Sequence, residues 1–273
     1  MVPAPSHELK YRILGSLLFL PILILFSSGG MLTVLGGGLL SAGISYEFST
    51  LVSRKDGEQR HIIGSLAFAS YLLGMIPFIV EGISMSGAVV LLAIAYLAVF
   101  IIIKQFGFIL FLVMACLYSL GYLINMPGGV ILILLVALAI SACDIGAYFS
   151  GRLIGGAKLA PHISPSKTWS GSCGGVVAAV FIILPVIALE IYPVVTLIVG
   201  GTVIAVLSQI GDLIESHLKR RLGVKDSSRL IPGHGGFLDR FDGYLTVLPV
   251  LAVLVAADLV GLPDIDLNIM SFR

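Results

Sequence analysis

Runs of about 20 predominantly apolar residues, the length an α-helix needs to cross a hydrocarbon core roughly 30 Å thick, follow one another through nearly the whole chain. They decide the fold class before any single residue is considered. With 58% hydrophobic and only 11% charged residues among 273, and a mean hydropathy of +1.09, the chain lies far outside soluble globular composition. No stretch is left that could fold as a separate soluble domain with its own core. The expected fold is all-α, a polytopic integral membrane protein.

Breaks at charge, Pro and Gly clusters give about nine transmembrane helices, near 12–28, 30–51, 62–80, 86–103, 107–124, 128–150, 171–189, 193–217 and 243–262. Charge tests this count. With the amino terminus cytoplasmic, the inner segments are the tail and the second, fourth, sixth and eighth loops. These hold every Lys and Arg of the chain except Arg273, while Glu81 and Glu190 fall in outer loops and Asp264 and Asp266 in the outer tail. Such segregation follows the positive-inside rule, and adding or dropping one helix would destroy it. The first run follows Lys10 and Arg12 as a signal peptide would, but it lacks an Ala-x-Ala-like cleavage site and further spans follow, so a retained helix is expected. Cys116, Cys143 and Cys173 lie in apolar segments without a Cys-x-x-Cys pair and read as small buried residues in a reduced setting. Gly171 and Gly175 give a Gly-x-x-x-Gly spacing, which lets helix backbones approach closely. Packing inside one subunit is favoured over a dimer contact.

Against this background the polar residues stand out. Residues 216–243 read SHLKRRLGVKDSSRLIPGHGGFLDRFDG and hold Lys219, Arg220, Arg221, Lys225, Arg229 and Arg240 beside Asp226, Asp239, Asp242, His217 and His234. Asp144 sits near the inner end of the sixth span, and Asp212 and Glu215 at the inner end of the eighth. A carboxylate at membrane depth is costly unless paired, hydrated or bound to a cation. Pairing with a nearby Arg or Lys explains one such residue; three at the face of the basic loop favour convergence on a site. Residues three and four apart share a helical face, so Ser208, Asp212, Glu215 and Ser216 form one stripe of oxygen donors. Asp239 and Asp242 would point the same way if the last span begins there as a helix.

Carboxylate clusters suit a hard cation, and Mg²⁺ typically uses one or two carboxylates plus substrate phosphates. Zinc is disfavoured, since no His or Cys pair stands at ligand spacing. The glycines of Ile231-Pro-Gly-His-Gly-Gly236 allow a ligand to approach main-chain N–H groups. Alone this is an ordinary glycine-rich turn; beside the basic residues and two aspartates it reads as a phosphate cradle. His234 is the better candidate of the two histidines for a phosphate contact or proton relay. In the sixth loop Ser164, Lys167 and Thr168 are phosphate-binding residue types, and Trp169 fits an interfacial belt. Lys167-Thr168 has the ending of a Walker A loop, but Pro161 and Ser166 stand where its glycines must be, so that reading fails.

Ser216-x-x-Lys219-Arg220, Lys225-Asp226-Ser227, Ile231-Pro-Gly-His-Gly-Gly236 and Asp239-Arg240-Phe241-Asp242, in this order and spacing, resemble the carboxy-terminal motif of the phosphatidate cytidylyltransferases, also called CDP-diacylglycerol synthases. Asp144-x-x-Ala147-Tyr148-Phe-x-Gly151-Arg152 and Ile163-Ser164-Pro165-x-Lys167-Thr168-Trp169-x-Gly171 resemble two further blocks of that family. The resemblance covers roughly residues 140–243; the first five helices match only in hydropathy. It implies transfer of CMP from CTP to phosphatidate, giving CDP-diacylglycerol and pyrophosphate, with Mg²⁺ required and a second cation left open. Asp212 and Asp239 are then the first expected metal ligands, Asp144 and Asp242 the next, with Glu215 in support. Lys219, Arg220, Lys225 and Arg240 are expected on the phosphates, helped by Lys167, Ser164 and Thr168. His234 is expected to take part in catalysis, and Gly233, Gly235 and Gly236 to supply backbone donors.

On this reading residues 1–127 form an amino-terminal membrane region of about five helices, for packing and a lipid-facing or dimer surface. Residues 128–273 form the catalytic membrane region, with cytoplasmic loops 151–170 and 217–242. The expected partners are CTP, phosphatidate and membrane lipid, with no nucleic acid and a homodimer left open. The expected location is the cell inner membrane, with the active site facing the cytoplasm. Two other readings compete. A CTP-dependent polyprenol or phytol kinase uses the same donor but transfers the γ-phosphoryl group. An ion-coupled transporter also carries intramembrane carboxylates, but here they gather at one face and no paired half-repeats are found. A CDP-alcohol phosphotransferase is disfavoured because its Asp-Gly-x-x-Ala-Arg…Asp-x-x-x-Asp pattern is missing. Glu47 stays open between facing the site and meeting Arg54.

Overall fold

The computed structural model describes residues 30–52, 60–79, 107–189, 192–228, 230 and 235–261. Among them the order is α1 (Gly30–Val52), α2 (Arg60–Ile79), α3 (Gly107–Ile124), α4 (Gly129–Leu153), β1 (Lys158–Ala160), β2 (Ser164–Thr168), α5 (Trp169–Ile183), a 3₁₀ turn (Leu184–Leu189), α6 (Val194–Arg221), α7 (Leu238–Phe241) and α8 (Tyr244–Ala256). The expected spans near 12–28 and 86–103 lie outside the described residues. The helices Gly129–Leu153, Trp169–Val186 and Val194–Arg221 are long and apolar enough to cross a membrane. They turn large apolar side chains outward, among them Leu138, Phe181 and Val199, as lipid-facing helices do and soluble ones avoid.

The chain divides into two compact units, one formed by Met1–Asn125 with Arg221–Phe241 and the other by Met126–Arg220 with Asp242–Arg273. In the first, α2 packs against α1 and α3. Tyr71 on α2 is buried, and its hydroxyl satisfies itself on the Val34 carbonyl of α1 at 2.7 Å, as a buried phenol must. α7 lies against α1, with the Phe237 ring over Gly43.

In the second unit α4 and α5 make an intimate pair. A Cβ on Gly175 would sit 2.8 Å from the Cys143 carbonyl oxygen, and one on Gly171 2.9 Å from that of Ala147. The Gly-x-x-x-Gly spacing therefore packs within the chain, where small residues let two backbones approach. Ala139, Cys143, Ala179, Ile183 and Ala205 form the core that α4, α5 and α6 share. Cys116 and Cys143 are buried as expected, whereas Cys173 is exposed.

Two local departures from the sequence reading have physical causes. Residues 158–168 are not simply a loop but an antiparallel hairpin, with Lys158 opposite Thr168 and Ala160 opposite Ser164. The Ile163 N–H closes its turn on the Ala160 carbonyl at 3.1 Å. Thr168 ends the hairpin in extended conformation and caps α5, its Oγ1 accepting the Gly171 N–H at 3.1 Å, the usual task of an N-cap threonine. The last helix is also shorter than expected, closing at Ala256, because Asp258 takes a left-handed conformation at φ 57° that a helix cannot continue through.

Candidate functional site

Part of the stripe expected on α6 comes together with a residue from the chain after α7. Asp212, Glu215 and Asp242 bring one carboxylate oxygen each to within 4.8 Å of one another. Ser216 donates to Asp212 Oδ1 at 3.2 Å. Ser208 instead turns its hydroxyl back to the Ala205 carbonyl at 3.0 Å. Asp242 reaches this group because Gly211 has no side chain. A Cβ there would collide with the Asp242 carbonyl oxygen, so only glycine lets the chain after α7 lie against α6. Thr246 fixes the approach by donating to the Leu207 carbonyl at 2.6 Å.

Two lysines answer these carboxylates. Lys167, delivered from β2, pairs with Asp212, and Lys219 pairs with Glu215 one turn away on α6. Glu215 is only 1% exposed, so its ionised form depends on such a partner. Asp242 forms no lysine pair among the described residues. Its Oδ1 accepts the Gly243 N–H at 2.7 Å. Burial, then the charge of Asp212 and more weakly that of Asp144, push its carboxyl up to about 7. Negative charge is thus crowded at this point, and a bound cation would relieve it.

A cavity of about 500 Å³ opens beside Asp212. Its polar lining includes Asp144, Arg152, Lys158, Lys167, Gln209 and Asp212. Gln209 escaped the sequence reading, since one amide in an apolar helix carries no charge signal. Its Nε2 donates to the Ser172 carbonyl at 3.2 Å and to Cys143 Sγ at 3.4 Å, while its oxygen accepts the Ser172 hydroxyl. It therefore ties α6 to α5 and α4 just before Asp212.

Asp239 accepts hydrogen bonds from the backbone on either side of the glycine-rich turn. Its carboxylate accepts the Ser227 N–H at 3.0 Å and the Gly236 N–H at 2.9 Å. The expectation that Asp239 and Asp242 share a helical face does not hold, because α7 ends at Phe241. The residue left open, Glu47 on α1, is 1% exposed. It accepts the Ser228 hydroxyl at 2.6 Å, the Ser227 hydroxyl at 3.3 Å and the Leu238 N–H at 2.8 Å. Two carboxylates, one on α1 and one on α7, thus tie residues 227–228 to residues 236–238. Gly236 is needed between them, since a Cβ there would meet both Glu47 and Ser227.

The remaining expected residues fall as follows. Ser164 and Lys167 lie half-buried on β2, and Thr168 is buried as the cap of α5. Asp144, Arg220, Lys225 and Arg240 are exposed, and Gly235 turns at φ 82° beside Asp239. Gly233 and His234 lie outside the described residues.

The family model described as the cytidylyltransferase family matches residues 10–257. A Pseudomonas aeruginosa protein named phosphatidate cytidylyltransferase is 33% identical over 276 residues, covering 93% of this chain and 100% of its own. Proteins of the same name from Brucella suis biovar 1 and Bacillus subtilis are 46% identical over 132 residues and 44% over 130. Each of these shorter matches covers about half of both chains, 46% of this one and 47% of the Brucella protein, 47% and 48% for Bacillus. With the family match running through nearly all of the sequence, and one relative aligned over its full length, the chain belongs to the cytidylyltransferase family.

Proposed function

We propose that the chain is a phosphatidate cytidylyltransferase, which transfers CMP from CTP to phosphatidate and releases pyrophosphate. The observation that carries this reading is the joining of the Lys167–Asp212 pair to Glu215 and Asp242 within 4.8 Å, beside a cavity of about 500 Å³. The chemistry asks for such a place. A phosphate oxygen of the lipid forms a bond to the α-phosphorus of CTP, and the bond from that phosphorus to pyrophosphate breaks. The nucleophile is already an anion, so no proton has to be removed first. The obstacle is repulsion between two polyanions, each unit pair at 4 Å costing about 4 kcal/mol at an effective dielectric near 20. Catalysis is therefore mostly positioning and neutralisation.

The donor set fits a hard divalent cation. It is all carboxylate oxygen and contains no thiolate or imidazole, and burial, together with the charge of Asp212, raises the Asp242 carboxyl. Asp212, Glu215 and Asp242 would hold Mg²⁺, with Asp144 at the cavity edge; when bound it would neutralise phosphate charge there. Lys167 and Lys219 orient the carboxylates they pair with and offer ammonium groups to phosphates. Arg220, Lys225 and Arg240 are phosphate-neutralising residues of the same proposal.

The charge segregation supports nine spans with a cytoplasmic amino terminus, in a cell membrane with the site on the cytoplasmic side. There the water-soluble nucleotide and the head group of a membrane lipid are both within reach. Label on the α-phosphate of CTP is expected in the lipid product, with incorporation lost on chelation and restored by added Mg²⁺. Lipid labelled instead from the γ-phosphate would mark a kinase and overturn the reading, as would solute uptake into vesicles without any use of CTP.

A further inference from the structure

The cavity beside Asp212 has an asymmetry that the transfer chemistry above leaves unused. Lys167, one of its three cations, is committed to Asp212. The other two, Arg152 at the end of α4 and Lys158 at the start of β1, line the same cavity but form no carboxylate pair among the described residues. Both are exposed, as is Asp144 among the lining carboxylates, whereas Lys167 and Asp212 are half-buried, so two cations without a carboxylate pair among the described residues stand at the rim against one acidic group. Arg152 is also aimed. Its Nη1 donates to the Tyr148 hydroxyl at 3.0 Å, one turn back on α4, and its guanidinium lies 6.0 Å from that ring's centroid, within cation–π range.

The large residues next in sequence to the lining residues Tyr148, Arg152 and Thr168 are apolar and turned outward. Leu153 is 81% and Ile154 74% exposed, and Phe149 and Trp169 are more than half exposed. In water such a collar beside two cations would be an anomaly. At the end of a membrane-crossing helix it is what an interface demands, aromatic and aliphatic groups in the lipid and basic heads at the phosphate level. A ligand suited to both parts has a phosphate and hydrocarbon chains.

We propose that Arg152 and Lys158 form the binding subsite for the phosphate of the lipid substrate, whose acyl chains lie against Phe149, Leu153, Ile154 and Trp169. The proposal rests on the cytidylyltransferase reading and deepens it by giving the two anionic substrates different ends of one cavity. The lipid enters sideways at the collar, and its phosphate is held by the rim cations with an oxygen free to face the carboxylate end at Asp212. The nucleotide is left to that carboxylate end.

The test separates the two substrates. With purified protein in mixed micelles, Arg152→Gln and Lys158→Gln should each raise the KM for phosphatidate about tenfold, the scale of one lost charge-assisted hydrogen bond. The KM for CTP should stay within about twofold. A rise confined to the KM for CTP would give these cations to the nucleotide and overturn the proposal, and so would no change in either. If Arg152→Gln fails to accumulate, Arg152→Lys and Lys158→Gln carry the same comparison.

A second readout needs no turnover. Short-chain phosphatidate should bind the wild-type protein calorimetrically without CTP, and each Gln variant should weaken it about tenfold. Inorganic phosphate should bind far more weakly than the lipid; equal affinity would remove the collar from the site. Lipid binding that depends on Arg152 and Lys158 in a protein that never uses CTP would leave this subsite standing and defeat the functional reading instead.

Discussion

Asp212→Asn is expected to lower CTP-dependent turnover by roughly 10²- to 10³-fold, the scale of losing one preorganised electrostatic contact at a charge-developing centre, while the protein still accumulates in the membrane. The amide has nearly the shape of the carboxylate, so packing at the end of α6 is kept. What changes is charge. Asp212 is the point where the Lys167 pair and the Glu215–Asp242 group meet. An amide there can neither ligate a cation strongly nor hold the Lys167 ammonium, which would be released into the cavity. The cost to stability is small, because the two side chains are 24% and 31% exposed and a solvent-screened pair contributes about 1 kcal/mol or less. Steady-state assay and thermal unfolding on the same preparation check both halves. Near-normal turnover in this variant would remove Asp212 from the chemistry.

The second large effect is expected far away in sequence, at Glu47. Glu47→Ala leaves the buried Leu238 N–H without its acceptor and unties Ser227 and Ser228. One orphaned buried donor alone costs about 1–3 kcal/mol. The thermal midpoint should fall clearly, and trypsin should cut faster at Lys225 and Arg240, since of the two carboxylates that tie residues 227–228 to residues 236–238 only Asp239 remains. Glu47→Gln should recover most of the loss. Its amide oxygen can serve Ser227 and Leu238, and its NH₂ can donate to the Ser228 hydroxyl. An alanine variant that unfolds and resists trypsin as the wild type does would show that Asp239 holds the segment unaided.

The contrast between these two residues explains what the sequence revealed. Asp212 and Glu215 were legible because a charge in an apolar run is conspicuous and helical spacing puts both on one face. Lys167 was legible as a basic residue in an inner loop, but not as the partner of Asp212, since that pairing depends on a hairpin carrying β2 to α6. Asp239 and Asp242 looked equivalent at a spacing of three. The four-residue α7 and the turn after it send one to Ser227 and Gly236 and the other to Asp212. Glu47 could not be placed at all, because its partners lie some 180 residues away and hydroxyl and backbone donors leave no trace in local pattern. Apolar run length, broken at charge, Pro and Gly clusters, located the described membrane-length helices, because lipid acts on every residue of a span, but it did not show that the last helix closes at Ala256.

Mn²⁺ binding, followed by loss of its free-ion electron paramagnetic resonance signal in the purified protein without substrates, tests directly the proposal that Asp212, Glu215 and Asp242 hold a cation. The wild-type protein should take up Mn²⁺ saturably and release it to Mg²⁺, and Asp212→Asn and Asp242→Asn should each weaken the affinity at least about tenfold. Undiminished Mn²⁺ affinity in both variants would contradict the assignment of Asp212, Glu215 and Asp242 as the metal-holding group.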